Sequence, residues 1–126
     1  MSFPTFPTQT SEPELKEAIV KFVGGTTAVT KLFGKAMTVS YISTGIVDLI
    51  WKETPGAYVG VTGHCFEATV QGGVKGYTVV PGVFNTSTNT LRLNIFGFGA
   101  TPALTDLAAL QWLTLKVGFK TAQASL

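Results

Sequence analysis

From Thr26 onward, apolar side chains recur at every second position. Met37, Val39 and Tyr41 alternate with Ala36, Thr38 and Ser40, and Val47, Leu49 and Trp51 alternate with Asp48 and Lys52. Ser43-Thr44-Gly45 supplies turn residues between the two runs, so together they predict a β-hairpin. After a turn at Thr54-Pro55-Gly56, the next run places Val59, Val61 and Cys65 on one face and Tyr58, Thr62, His64 and Phe66 on the other. The segment QGGVKG breaks it, and YTVVPGVF follows. Its Pro81 marks an edge or a bulge, because proline donates nothing to a sheet ladder. In NTSTNTLRLNIF, residues 85–96, a polar turn through Thr86–Asn89 feeds a strand with Leu91, Leu93 and Ile95 opposite Arg92 and Asn94. A long connection, GFGATPALTDLAALQ, reads as irregular with one helical turn capped by Thr105. The last run is the cleanest: Leu113, Leu115, Val117 and Phe119 point one way, Thr114, Lys116 and Lys120 the other.

The N-terminal quarter reads differently. Pro4 and Pro7 prevent a helix in residues 1–11, leaving an extended arm with Phe3 and Phe6 as anchors. Ser11 and Glu14 have capping-box spacing, Pro13 lies in the first turn, and Glu17 precedes Lys21 by four. Leu15, Ala18, Ile19, Phe22 and Val23 then form a stripe at helical spacing that Gly24-Gly25 ends. These residues predict a short helix, although AIVKFV also fits a strand. The expected organisation is an arm and helix over residues 1–25, followed by a β-domain over 26–126. Six to eight short strands without intervening helices indicate an all-β fold, an antiparallel β-sandwich or jelly roll, and exclude a parallel α/β sheet.

Composition adds a second theme. The chain has 126 residues, enough for one self-sufficient core. It is 45% hydrophobic but only 13% charged. So low a charge content fits a surface of Thr, Ser and Gly together with apolar area buried against other chains. The net charge of +2 comes from scattered lysines and one arginine, Arg92. Phosphate binding needs clustered cations, so a nucleic-acid partner is set aside. A single cysteine, Cys65, leaves no intrachain disulfide. The first residues contain no basic-then-apolar leader. No apolar run nears the roughly 18 residues of a membrane span. A cytoplasmically made protein without a membrane partner is the expectation.

Candidate chemistry is thin. His64-Cys65 is the one pair suggesting a nucleophile and base, but neighbours on a strand point to opposite faces. Cys65 is therefore expected in the core and His64 outside. Asp48, Glu53, Glu67 and Asp106 are far apart in sequence, with no spacing that promotes a carboxylate pair. One His and one Cys cannot build a zinc site, and the glycine segments lack the lysine of a phosphate loop. No enzyme activity, cofactor or metal is expected. What stands out is apolar surface. Tyr58, His64, Phe66, Val80 and Phe96 fall opposite the expected core stripes, where a sandwich needs no apolar face. They are either covered by loops and the helix, or form a subunit interface, with closed homo-oligomers as the common outcome.

Three stretches, TGIVDLIWKETPGAYVGVTGHCFEAT, VKGYTVVPGVFNTSTNTLRLNIF and DLAALQWLTLKVGFK, resemble a recurrent group of tailed-phage virion proteins with C1q/TNF-like trimeric jelly rolls. The resemblance spans about residues 28–120 and consists of strand and turn residues, not a chemical motif. It implies a homotrimeric capsid decoration or cement protein, made in the host cytoplasm, located on the capsid surface of the virion and bound to the major capsid protein. The alternative it implies is a head-fibre or tail-fibre tip that binds a receptor or glycan. In the decoration reading, Phe3, Phe6, Leu15, Ile19 and Phe22 grip the shell or a neighbour. Phe96, which leaves its stripe for the opposite face, is expected at a subunit contact.

Overall fold

The computed structural model describes residues 15–25, 27–68, 77–98, 101–107 and 111–120. The Phe3 and Phe6 arm and the Ser11 cap lie outside the described residues. Nine strands fill the described chain: β1 (Leu15–Gly25), β2 (Ala28–Phe33), β3 (Met37–Ser43), β4 (Ile46–Trp51), β5 (Ala57–Ala68), β6 (Tyr77–Pro81), β7 (Thr90–Gly97), β8 (Ala103–Leu104) and β9 (Gln111–Lys120). All pairings are antiparallel. The first sheet has the order β2-β1-β9-β5 and the second β3-β4-β7-β6, with β8 added to β7.

The two sheets enclose one core. From β9, Leu113, Leu115 and Val117 are fully buried and Phe119 nearly so; Leu49, Leu91, Leu93 and Ile95 face them from the second sheet. Each such side chain contributes roughly 1.5–3 kcal/mol on leaving water. One end of the core is aromatic. Trp51 meets Phe119 edge-on at 5.2 Å, and Tyr58 stacks on Phe84 at 5.6 Å. The period-two stripes of β4, β7 and β9 thus place their residues as the sequence predicts, and the all-β, two-sheet architecture follows.

The helix expected up to Gly24 is instead β1. It pairs with β9 from Leu15↔Lys120 to Val23↔Trp112 and with β2 on its other side. Residues 15–25 are therefore a strand of the first sheet, continuous with the β-domain expected to begin at residue 26. The reason is tertiary. Ile19, Val20, Phe22 and Val23 favour a pleated, half-buried surface, and alternation puts Val20 and Phe22 into the core at 0% exposure. Phe22 is thereby removed from the set of surface anchors. The helical turn expected at Thr105 is also absent among the described residues: β8 and the irregular Thr105–Leu107 stand there.

The faces of β5 are a further correction. Register shifts between Tyr58 and Gly60 and between Val61 and Gly63 insert extra residues opposite β9. Each bulge inverts the alternation beyond it, so the two cancel and only Val61, between them, changes face. Tyr58, Val61, His64 and Phe66 oppose Phe119, Val117, Leu115 and Leu113 on the core side, while Cys65 opposes Thr114 on the outer side. Tyr58, Val61 and Phe66 pack on the core, whereas Val59 is 50% exposed.

Candidate functional site

With the core faces assigned, both outer faces still carry apolar side chains. On the first sheet, Leu15 and Ile19 of β1 are 39% and 45% exposed, and Phe33, opposite Lys21 at the end of β2, is 58% exposed. Trp112 lies half-buried on the same face between Val23 and Glu67, beside a Lys21–Glu67 ion pair at 3.8 Å. On the second sheet, adjacent rows Ile46–Asn94–Val80 and Leu104–Phe96–Thr78 put four apolar side chains together. Val80 is 48% exposed, Leu104 37%, and Ile46 and Phe96 are half-buried. Phe96 does leave the core stripe, since Ile95 beside it is buried.

The other expected surface residues distribute differently. Tyr58 and Phe66 belong to the core side; Phe66 stacks on Tyr77 at 5.5 Å. His64 is exposed although its row faces the core, and it sits edge-on to Phe66 at 5.8 Å. Cys65 is exposed, not buried as expected. The pleat does separate the two side chains, so no dyad forms, but the face of β5 turned to the core is that of Tyr58, His64 and Phe66, which leaves Cys65 outside.

Beside the apolar patch on the second sheet is a polar depression of about 540 Å³. Its floor is a cross-strand pair, Asp48 on β4 and Arg92 on β7. Arg92 donates from Nε to Oδ1 at 2.8 Å and from Nη2 to Oδ2 at 3.1 Å, a two-point clamp. The Asp48 side chain is only 10% exposed and that of Arg92 52%. Hydrogen bonds from Arg92 to Asp48, and then the carboxylate charge, push the guanidinium pKa further up. The walls come from the β6–β7 connection, with Asn85 and Thr88, and from β7 itself, with Thr90 and Asn94. The turn is tied to itself: Asn85 Oδ1 accepts from the Ser87 and Thr88 backbone N–H groups at 2.9 and 3.3 Å, an Asx turn, and Asn89 sits at φ +52°.

Asp106 has a structural role. Its carboxylate accepts from the backbone N–H of Gly45 at 2.7 Å and from the Tyr41 hydroxyl at 3.1 Å. It thereby holds the β3–β4 turn against β7 and β8. Among the described residues no group of three or more His, Cys, Asp or Glu is placed to hold a metal ion, and no helix is long and apolar enough to cross a membrane.

The Asp48–Arg92 pair was not legible in the sequence because β4 and β7 become neighbours only through two strands that leave for other positions. The available signal was the one arginine, at an outward position of β7 between the core residues Leu91 and Leu93. No protein-family model, curated protein or solved structure matches the chain.

Proposed function

We propose that the chain is a non-enzymatic capsid decoration protein of a tailed phage, acting as a homotrimer on the outer surface of the head and bridging major capsid protein subunits. The observation that supports this reading most is apolar area on both outer faces of a sandwich that needs only its inner faces apolar. Ile46, Val80, Phe96 and Leu104 on one side, with Leu15, Ile19 and Phe33 on the other, give a small domain two separate contact surfaces. One serves neighbouring copies and the other the shell. Its mechanism is repetition: modest contacts multiplied by symmetry hold a trimer far more tightly than one subunit. The jelly-roll likeness remains part of this proposal, carried by the sequence resemblance and not by the strand order, in which the β1–β2, β3–β4 and β6–β7 hairpins each stay within one sheet.

The test combines mass and binding. Light scattering on the purified protein should give three chains per particle, and the protein should co-sediment with shells prepared without it. Val80→Glu and Leu104→Glu, at exposed positions, should weaken assembly or shell binding while shifting folding stability by no more than about 0.5 kcal/mol. A monomer at high concentration that ignores shells would overturn the reading.

A further inference from the structure

The depression on the second sheet is not explained by apolar assembly alone, because Asp48, Arg92 and the Asn and Thr side chains line it. Its shape has a local cause. The backbone N–H of Gly82 donates to the Arg92 carbonyl at 2.7 Å, so the β6–β7 connection begins directly beside Arg92. A Cβ at Gly82 would stand 3.3 Å from that carbonyl and 3.7 Å from the Arg92 Cβ. With no side chain there, the space beside the Arg92 carbonyl and Cβ stays open on the side where Asn85 and Thr88 line the depression.

Arg92 is oriented for a ligand. A guanidinium has five N–H donors, and the clamp on Asp48 uses one from Nε and one from Nη2. Of the remaining three, one on Nη1 and one on Nη2 form the end edge directed away from Asp48, and the other on Nη1 points back along the side chain. That edge is a second fork, matched to a planar two-oxygen acceptor. Because the Asp48 side chain is nine-tenths buried, the guanidinium plane is held before any ligand arrives. The Asp48–Arg92 pair is neutral as a unit, and no lysine lines the depression. A dianionic phosphate would find no second cation here, whereas a carboxylate needs only the fork.

The walls supply the other half of the specificity. Thr88, Thr90, Asn85 and Asn94 offer hydroxyls and carboxamides, groups that both donate and accept, as sugar hydroxyls do. Three of them are preset: Asn94 Nδ2 donates to the Val80 carbonyl at 3.2 Å, the Thr90 hydroxyl donates to the Thr88 carbonyl at 3.0 Å and keeps its acceptor lone pairs, and Asn85 is fixed by its own turn. At the rim Val83 is 92% exposed and offers an apolar surface for the C–H face of a ring. The volume lies in the range of roughly 300–1,000 Å³ found for small-molecule sites.

From these features we infer that the depression binds a carboxylate-bearing sugar, its carboxylate on the outer fork of Arg92 and its hydroxyls on the Thr and Asn walls. The inference goes beyond the decoration reading and does not depend on it. A titration of isotope-labelled protein with glucuronic acid, followed by NMR, tests it. Saturable shifts should be confined to Gly82, Thr88, Thr90, Asn94 and the Arg92 Nε–H. Glucose and acetate, each carrying half of the recognition, should bind about ten-fold or more weaker. Arg92→Lys keeps a cation beside Asp48 but loses the fork, and Thr90→Val leaves the pair untouched; both should weaken glucuronate to a similar degree with the fold retained. Equal binding of glucose, tighter binding of inorganic phosphate, binding of acetate as strong as that of the sugar acid, or shifts that never saturate would each overturn the inference. Shell binding would be unchanged by any of these outcomes, so the two proposals fail separately.

Discussion

Gly45 and Asp106, 61 residues apart in sequence, meet through a 2.7 Å hydrogen bond from the glycine N–H to the carboxylate. The same carboxylate receives the Tyr41 hydroxyl, and the Gly45 carbonyl accepts from the backbone N–H of Ile95 at 2.7 Å. A turn between β3 and β4 is thereby locked to β7 and to the segment that follows β8. Asp106→Ala leaves a buried backbone N–H without its acceptor and should cost about 1–3 kcal/mol in urea unfolding. Asp106→Asn keeps one acceptor oxygen and should lose less. Gly45→Ala should be at least as damaging as Asp106→Ala, about 2 kcal/mol or more. Gly45 has φ +71°, and a Cβ would lie 2.7 Å from the Thr105 nitrogen and 2.8 Å from the Ile95 oxygen. If Asp106→Ala unfolds at the wild-type urea midpoint, the clamp is not a stabilising element.

Phe119 joins Trp51, Tyr58 and Phe84 at the aromatic end of the core, with ring centroids 5.2, 6.1 and 5.7 Å away. Phe119→Ala should cost about 3–5 kcal/mol, through lost burial and the cavity that remains. It should also alter the fluorescence of Trp51, which packs edge-on against that ring. Ile19→Ala is the informative contrast. On a helix its side chain would belong to the buried stripe, whereas on β1 it is 45% exposed. Its expected change is within about 0.5 kcal/mol, and a loss several times larger would favour the helix.

The contrast between β9 and β1 shows what the sequence could convey. In β9 the Leu113–Phe119 stripe is strictly period two, and both the strand and its buried face can be read directly. In β1 the run Leu15, Ala18, Ile19, Phe22, Val23 satisfies helical spacing, while Val20 and Phe22 satisfy strand spacing, so periodicity alone does not choose. The choice comes from β9 and β2 flanking β1 on both sides, which is information held elsewhere in the chain. In β5 the strand was legible but its inner face was not: Val59, Val61 and Cys65 read as the core side, whereas Tyr58, His64 and Phe66 line it, and Val61 joins them only through bulges whose markers, Gly60 and Gly63, read equally well as ordinary strand glycines. The same limit hid the polar depression: Asp48 and Arg92 each look like solvated strand residues until register places them opposite one another.

Cys65 gives a direct check on which face of β5 is turned inward. Taking Val59, Val61 and Cys65 as the core face would bury its thiol, but the observed register puts it outside, opposite Thr114. A thiol reagent should therefore modify Cys65 in native protein without denaturant, at a rate approaching that of the unfolded chain. Circular dichroism should show the sheet intact afterwards. Labelling that appears only on denaturation would mean that the outer face of the first sheet is covered, and the β1 residues Leu15 and Ile19 would be the first place to look for the cover.

Tyr58 predicts how the fold fails in alkali. Burial against Phe84 and Phe119 raises its phenol pKa above the ordinary value of about 10. Tyr41 is raised in the same direction, by desolvation first and then by its hydrogen bond to Asp106, with Thr44 opposing. Below pH about 10 both phenols are protonated in the folded and unfolded chains, and they contribute no pH dependence. Above it the unfolded chain loses these protons first, so it binds fewer than the native state, and stability falls as pH rises toward the folded-state values. Urea midpoints should therefore stay level with respect to these two groups up to about pH 10 and decline beyond it. Tyr58→Phe keeps the ring in the aromatic cluster and removes the ionisable hydroxyl, so its decline should be shallower than that of the wild type. An identical alkaline slope in the two proteins would show that Tyr58 does not titrate against the core.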